Sequence, residues 1–324
     1  MSYSRIGVMT SGGDAPGMNA AVRAVVRMGN HLNVEVLGIE NGFQGLLEGQ
    51  IEFLDSRRVS GIERLGGTIL GTSRSAEFRS EQGVQRAMQN LDQQNVEALV
   101  VIGGEGSLKG AYSLHQKGFP VVLVPASIDN DVGGTAVAIG VDTAINTALE
   151  AIDRLKDTAA AFRRSFVVEV MGRRSGWIAL QSAIAAGVDL VLVPEVPPSM
   201  EAIIQSLKQA KASGKTHFVL LAAEGISPTA TEIHRLISQR EDVGFESRLT
   251  ILGHIQRGGS PSAFDRLLAS RLGARAVEEL DGGRPGTVIG FRSMTTVTTP
   301  LETAINEPSA FSQEIYRFAQ ILAG

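Results

Sequence analysis

The sequence predicts an α/β protein. Its strand-like runs are short, apolar and mostly non-alternating, and helix-like segments alternate with them along the chain. Continuous apolar runs suit strands covered on both faces, as in parallel sheets, whereas half-exposed antiparallel strands alternate polar and apolar residues. Strand–helix alternation then implies right-handed crossovers. A third observation is that glycines, acids, arginines and a histidine gather at the strand ends. Ligands collect at the carboxyl ends of strands in such sheets.

Taken in order, IGVMT (6–10) is the first strand, followed by TSGGDAPG and a helix over 17–29. VEVLGI (34–39) is the second strand, and a helix over 83–94 precedes ALVVIGG (98–104). GGEGS then leads into a helix over 107–117. VVLVPAS (121–127) runs into SIDND, and a long helix follows over 139–161. FVVEVMG (166–172) ends in MGRRSG before a helix over 175–187. LVLVPE (190–195) precedes a helix over 199–213. HFVLLAAE (217–224) closes on an acid, Glu224, before a helix over 229–240. RLTILG (248–253) passes into GHIQRGGSP and a helix over 262–280, and TVIGF (287–291) is a weaker late strand. The repeated polar strand ends point to one long cleft.

Composition narrows the function. Lys+Arg total 30 and Asp+Glu 34 in 324 residues, a formal net charge of −4, which argues against a nucleic-acid-binding protein. The length accommodates two domains, and composition marks no boundary between them. There are no cysteines, so disulfides, thiolate metal sites and cysteine nucleophiles are excluded together. No apolar run approaches the length of about 18 residues expected of a membrane helix. MSYSRIGVMTSGG enters a strand without a charged-then-apolar leader, so a soluble, cytoplasmic protein is expected.

The strand-end motifs favour phosphate chemistry. TSGGDAPGMNAAVR offers glycines and a helix start, a geometry that can present backbone donors to phosphate; a plain tight turn reads equally well from this motif alone. GGEGS carries an acid, Glu105, which would repel phosphate unless a divalent cation lay between; a glycine turn with an exposed glutamate is the alternative. SIDND puts two aspartates two residues apart, on one side if the segment is extended, or in an Asx turn otherwise. Arg173, Arg257 and His254 add cations suited to phosphate. No G-x-S-x-G, H-E-x-x-H, G-x-G-x-x-G or Walker motif occurs, which argues against a serine hydrolase, a zinc protease and a dinucleotide oxidoreductase. Metal, acid, arginine and glycine together are the parts of phosphoryl transfer to a hydroxyl.

TSGGDAPGMNAAVR, P-x-SIDND, EAIDRLKDTA, VVEVMGR and LGHIQRGGSP, in this order, resemble the bacterial 6-phosphofructokinase family. The resemblance implies two similar three-layer α/β/α domains with mainly parallel sheets and an active site in the cleft between them. It implies a donor domain over 1–140 plus 256–306 and a fructose 6-phosphate domain over 141–255 plus 307–324, with a C-terminal helix. The implied glycolytic reaction is Mg²⁺-dependent phosphoryl transfer from ATP to the 1-hydroxyl of fructose 6-phosphate. Asp129 matches the general base, Asp131 the acid supporting metal and base, and Arg173 the charge-neutralising cation. Gly12, Arg74 with Ser75, and Gly104, Glu105, Gly106 and Ser107 match the donor site, with Glu105 and Asp131 toward the metal. Ser127, Ile128, Asp129, Met171, Gly172, Arg173, Glu224, His254 and Arg257 match the acceptor site, and Ser127 stands where threonine is common. Arg164 and Arg248 match arginines supplied by a neighbouring subunit, so a homotetramer with shared active sites is implied.

Departures from the family pattern carry information. Pyrophosphate users tend to have Asp at Gly106 and Lys at Ala126, so their absence points to a nucleotide donor, with pyrophosphate as the alternative donor. Glu105 replaces the usual Asp, extending the carboxylate by about 1.5 Å. Ser75 replaces a common aromatic, which leaves ADP as an alternative donor; a non-catalytic sensor on the same fold is a further alternative. Arg23, Arg27 and Lys215 match effector ligands, while Ser56, Lys156, Asp189 and Ser213 depart, so a weak or altered response to ADP and phosphoenolpyruvate is expected.

Overall fold

Residues 3–307 and 311–323 are described by a computed structural model. They divide into two compact units: residues up to 143 with 257–307, and residues 144–256 with those from 311 onward. The division falls inside one helix and at the end of one 3-10 turn.

In the first unit, β1 (Arg5–Ser11), β2 (Glu35–Ile39), β3 (Ile51–Phe53), β4 (Ala98–Gly103), β5 (Val121–Pro125), β10 (Thr287–Arg292) and β11 (Thr295–Pro300) form a seven-stranded sheet of order β11-β10-β5-β4-β1-β2-β3. The pairs from β10 to β2 are parallel, and only the edge strands β11 and β3 are antiparallel. Every residue of β4 and β5 is buried, so both faces of the sheet are covered there, as non-alternating apolar runs require. The core joins Met9, Ile39, Leu99, Val101 and Leu123 to Phe43, Leu91 and Leu108 from the helices. Those helices are α1 (Met18–His31), α2 (Gly42–Glu48), α3 (Glu81–Gln93), α4 (Glu105–Gln116), the start of α5 (Val141–Phe162), α9 (Ala263–Asp281) and α10 (Leu301–Asn306).

The second unit holds a smaller, wholly parallel sheet of β6 (Ser165–Val170), β7 (Leu190–Leu192), β8 (Phe218–Ala223) and β9 (Ser247–Ile251), in the order β7-β8-β6-β9. Its helices are the rest of α5, α6 (Trp177–Ala186), α7 (Met200–Ala212), α8 (Ala230–Ser238) and α11 (Gln313–Ala323). The two units share an α/β class but not a sheet size.

Strand order locates the ligand-binding edge of each sheet. In the first, β1 leads to β2 on one side and β4 pairs on the other, so the chain reverses direction between β1 and β4. The segments beyond their carboxyl ends, starting at Gly12 and Gly104, diverge at that switch point. In the second, β6 has β8 on one side and β9 on the other.

Four elements were not expected from sequence: α2, β3, β11 and α10. Most boundaries also shift by one to three residues. α4 starts at Glu105 rather than 107, and β7 stops at Leu192 rather than 195. One buried side chain links two segments of the first unit. Asp265, in the first turn of α9, accepts N–H groups of Gly140 (2.9 Å) and Thr143 (2.8 Å) and the Thr143 hydroxyl (2.6 Å), capping α5 across the chain. Burial pushes the Asp265 carboxyl up, and these hydrogen bonds oppose that shift.

Candidate active site

In the first unit the expected donor loops pack on one another. Gly12 has φ 91°, and a Cβ on it would stand 3.3 Å from Ser107 Oγ. Ser107 Oγ is buried without a hydrogen-bond partner among the described residues, next to the N-terminus of α4. Gly104 caps α4 and lies against Ser127, where a Cβ would meet Ser127 Cβ at 3.4 Å. Arg74 lies on a tethered segment. Two residues before it, the Thr72 hydroxyl donates to Gly12 O at 2.8 Å, and Ser75 Oγ accepts the Phe78 N–H at 3.2 Å. Asn19, fully buried, holds the same segment through Leu65 O (3.1 Å), Gly67 O (2.7 Å) and the Ile69 N–H (2.8 Å).

Glu105 is the first residue of α4, not a loop residue. Its carboxylate is exposed and ion-paired with Lys109 one turn on. An acid in the first turn suits the helix dipole, and Glu before Lys at this spacing is the favourable order. Gly106 beside it has an ordinary backbone, and a Cβ there would meet nothing within 4 Å.

The SIDND segment is a turn rather than an extended strand, so of the two conformations its sequence allows the extended one is not adopted. Asn130 takes φ 52°, and its side chain closes the turn by donating to Ala136 O (3.0 Å) and accepting the Ala138 N–H (2.8 Å). Asp129 is thereby buried at 2% exposure beside the fully buried Ile128. Asp131 accepts the Ser127 hydroxyl at 2.8 Å, and the same oxygen of Ser127 accepts the Asp129 N–H at 3.3 Å. Ser127 is thus the hydrogen-bonded link between the two acids.

Arg257 reaches this turn within the first unit. Its Nη2 lies 3.9 Å from Asp129 Oδ2, and its Nη1 donates to Asp14 O at 3.1 Å. The guanidinium rests on Gly13, where a Cβ would come within 2.6 Å of Nη1, so a side chain at 13 would displace it. Burial pushes the Asp14 carboxyl up, against the N–H groups of Thr68 and Ala15 and the Arg257 charge. Sequence reasoning missed Gly13 and Asp14, although both lie in the quoted TSGGDAPG motif.

In the second unit, Met171, Gly172, Arg173 and Glu224 come together where β6 and β8 end. Met171 is buried, Gly172 has φ 141° and Arg173 is left-handed at φ 51°. Such a backbone costs a non-glycine residue on the order of 1–3 kcal/mol and concentrates at functional sites. Glu224 Oε1 accepts the Arg173 N–H at 2.7 Å. Burial, and then the charge of Glu224, push the Glu169 carboxyl up. Glu169 was not singled out, because an acid inside FVVEV reads as one polar interruption of a strand.

Arg164 and Arg248 are held side by side by Glu246, another residue missed from sequence. Arg164 Nε lies 2.6 Å from Glu246 Oε2, and Arg248 pairs with the other oxygen. β6 and β9 pair Ser165 with Ser247, which sets residues 164 and 246 next to each other. Arg164 also covers the Phe162 ring at 4.7 Å. His254 lies in the 3-10 turn Gly253–Arg257, braced by the buried Gln256, whose Nε2 donates to Gly253 O at 3.0 Å.

The expected effector cations are engaged within their own units. On α1, Arg23 Nε is 3.3 Å from Glu63 and Arg27 donates to Ser56 O at 3.3 Å. In the second unit, Lys215 pairs with Asp189 at 2.6 Å, and Lys156, one of the residues that depart from the effector pattern, donates to Ala186 O at 2.5 Å.

Among the described residues, no group of three or more His, Cys, Asp or Glu is arranged to hold a metal ion, and no helix is long and apolar enough to cross a membrane. The Phosphofructokinase family model matches residues 5–280. The chain is 48% identical over 319 residues to an ATP-dependent 6-phosphofructokinase of Natranaerobius thermophilus, covering 98% of this chain and 99% of that one. It is equally similar, at 48% over 320 residues and the same coverage, to ATP-dependent 6-phosphofructokinase 1 of Thermus thermophilus. Among solved structures, Saccharomyces cerevisiae phosphofructokinase superposes with a TM-score of 0.87 at 35% identity over 99% of this chain, which spans 48% of that chain. A pyrophosphate-dependent phosphofructokinase from Marinobacter aquaeolei, covered to 92% by 99% of this chain, shares the fold alone, with a TM-score of 0.85 at 19% identity.

Proposed function

The chain belongs to the phosphofructokinase family, and from that premise we propose that it transfers the γ-phosphoryl group of ATP to the 1-hydroxyl of fructose 6-phosphate, yielding ADP and fructose 1,6-bisphosphate. The observation that carries this reading is Asp129, a buried carboxyl facing Arg257 and beside the glycine loop of the β1/β4 switch point. In this reading the sugar oxygen attacks γ-phosphorus, its proton passes to Asp129, and the bond to the β–γ bridging oxygen breaks. Arg173 compensates charge on the moving phosphoryl group. Met171, Gly172, Ile128 and Glu224 contact the sugar, and His254 and Arg257 address its 6-phosphate. Gly12, Arg74, Ser75, Gly104, Gly106 and Ser107 take the donor, and the unpartnered Ser107 hydroxyl is available to a phosphate oxygen.

Mg²⁺ fits this donor set. Asp131 and Glu105 would hold it, and a cation bound mainly by phosphate oxygens and water needs only one or two carboxylates. When bound, it neutralises donor phosphate charge. Glu105 has to leave Lys109 to take part, which an exposed pair of low net worth permits.

The assembly proposed is a homotetramer with shared sites, in which the pair held by Glu246, Arg164 and Arg248, serves a neighbour's acceptor phosphate. The setting proposed is the cytoplasm, with no nucleic-acid or membrane partner. Effector control by ADP or phosphoenolpyruvate is weak in this reading. Asp129→Asn tests the central assignment: kcat falls by about 10²–10⁴ while fructose 6-phosphate binding persists. Turnover within a few-fold of the parent would remove Asp129 as the base.

A further inference from the structure

Arg173 is gripped at both ends of its main chain by consecutive residues of one strand end. Its N–H donates to Glu224 Oε1 at 2.7 Å. Its carbonyl oxygen lies so close to residue 225 that any Cβ there would overlap it, and residue 225 is glycine. Glu224 is itself fixed, since its N–H donates at 2.9 Å to Val170 O, at the end of β6 that leads into Arg173. Between these contacts Arg173 keeps a left-handed φ of 51°, a conformation that residues bearing a Cβ rarely adopt without support.

We propose that Glu224 is a positioning residue for Arg173, acting through the Arg173 main chain, in addition to the sugar contact assigned to it in the proposed reaction. The inference rests on that reading of Glu224 and Arg173. A carboxylate has two oxygens. Oε1 is engaged by the Arg173 N–H, and Oε2 serves the acceptor hydroxyl. One side chain then both holds the acceptor and sets the direction from which the guanidinium projects. Placement of a charge-compensating group is worth far more when fixed before the reaction than when found during it. Gly225 has the companion role of leaving room for the Arg173 carbonyl.

A double-mutant cycle tests this, with kcat and the KM for fructose 6-phosphate measured for Glu224→Ala, Arg173→Ala and the double variant. Arg173→Ala lowers kcat by about 100-fold or more. Glu224→Ala lowers kcat and raises KM. In the Arg173→Ala background, Glu224→Ala still raises KM but lowers kcat no further than about threefold, because its route to kcat is gone. Multiplying kcat losses would overturn the positioning role while leaving both proposed contacts in place. An unchanged kcat in Arg173→Ala would overturn the reading of Arg173, and the positioning role with it. If Glu224→Ala does not fold, Glu224→Asp takes its place: the shorter side chain draws the carboxylate away from the Arg173 N–H, so its kcat loss disappears in the Arg173→Ala background while its effect on KM persists.

Discussion

Gly106 and Glu105 are neighbours in α4 with different explanations. Nothing in the fold demands glycine at 106: its backbone is ordinary and a Cβ there would meet open space. Glycine inside a helix costs about 0.5–1 kcal/mol relative to alanine, so the missing side chain serves something outside the chain. In the proposed reaction a donor nucleotide would occupy that space. Gly106→Asp therefore folds at least as stably as the parent, since an acid near a helix N-terminus is favourable, yet raises the KM for ATP by an order of magnitude through crowding and repulsion. Unchanged ATP kinetics with intact folding would show that the donor lies elsewhere. Glu105 needs no such account, because the helix dipole and Lys109 already suit it. The residue types of the site were legible in sequence; their second partners were not. Gly13 under Arg257 and Glu246 beside Arg164 depend on contacts across 244 and 82 positions, which no local pattern encodes, and Ser127 links its two nearby aspartates only through the way the turn orients its hydroxyl.

At the level of elements, the apolar strands and amphipathic helices were readable because burial on both faces writes itself into composition. The missed elements lack that signature. α2 contains two glycines, starts after the left-handed Asn41 and ends at the left-handed Gly49. β3 has three residues, and β11 is threonine-rich and partly exposed at the sheet edge. β11 is placed by a turn whose central residues, Ser293 (φ 48°) and Met294 (φ 63°), lack the Asn-Gly signature of such turns. The effector reading belongs at this scale too. α1 presents Arg23 and Arg27 one turn apart, each already engaged, and the segment before β8 presents Lys215 to Asp189, which also accepts the Val219 N–H at 2.8 Å. Saturating ADP or phosphoenolpyruvate is expected to shift half-saturation by fructose 6-phosphate by less than the roughly 5-fold that marks ordinary allosteric coupling. Large shifts with both effectors would contradict this.

At the level of the whole molecule, the α/β class followed from alternation, but the division into two units did not follow from composition. Among the described residues it falls within α5 and at the end of a 3-10 turn, so regular structure rather than a linker-like stretch carries the chain across there. The unequal sheets were equally hidden, since the edge strands that enlarge the first one are the least apolar. What the molecule does depends on which phosphoryl donor it uses, and relatives sharing its fold are named for different donors. The most direct test is initial-rate measurement of fructose 1,6-bisphosphate formation from fructose 6-phosphate and Mg²⁺ with ATP, GTP, ADP or pyrophosphate as donor. The account predicts that ATP gives the highest kcat/KM, exceeding pyrophosphate by at least about 100-fold, a difference of roughly 2.7 kcal/mol in transition-state binding. Faster turnover with pyrophosphate than with ATP, or no turnover with any donor, would contradict it.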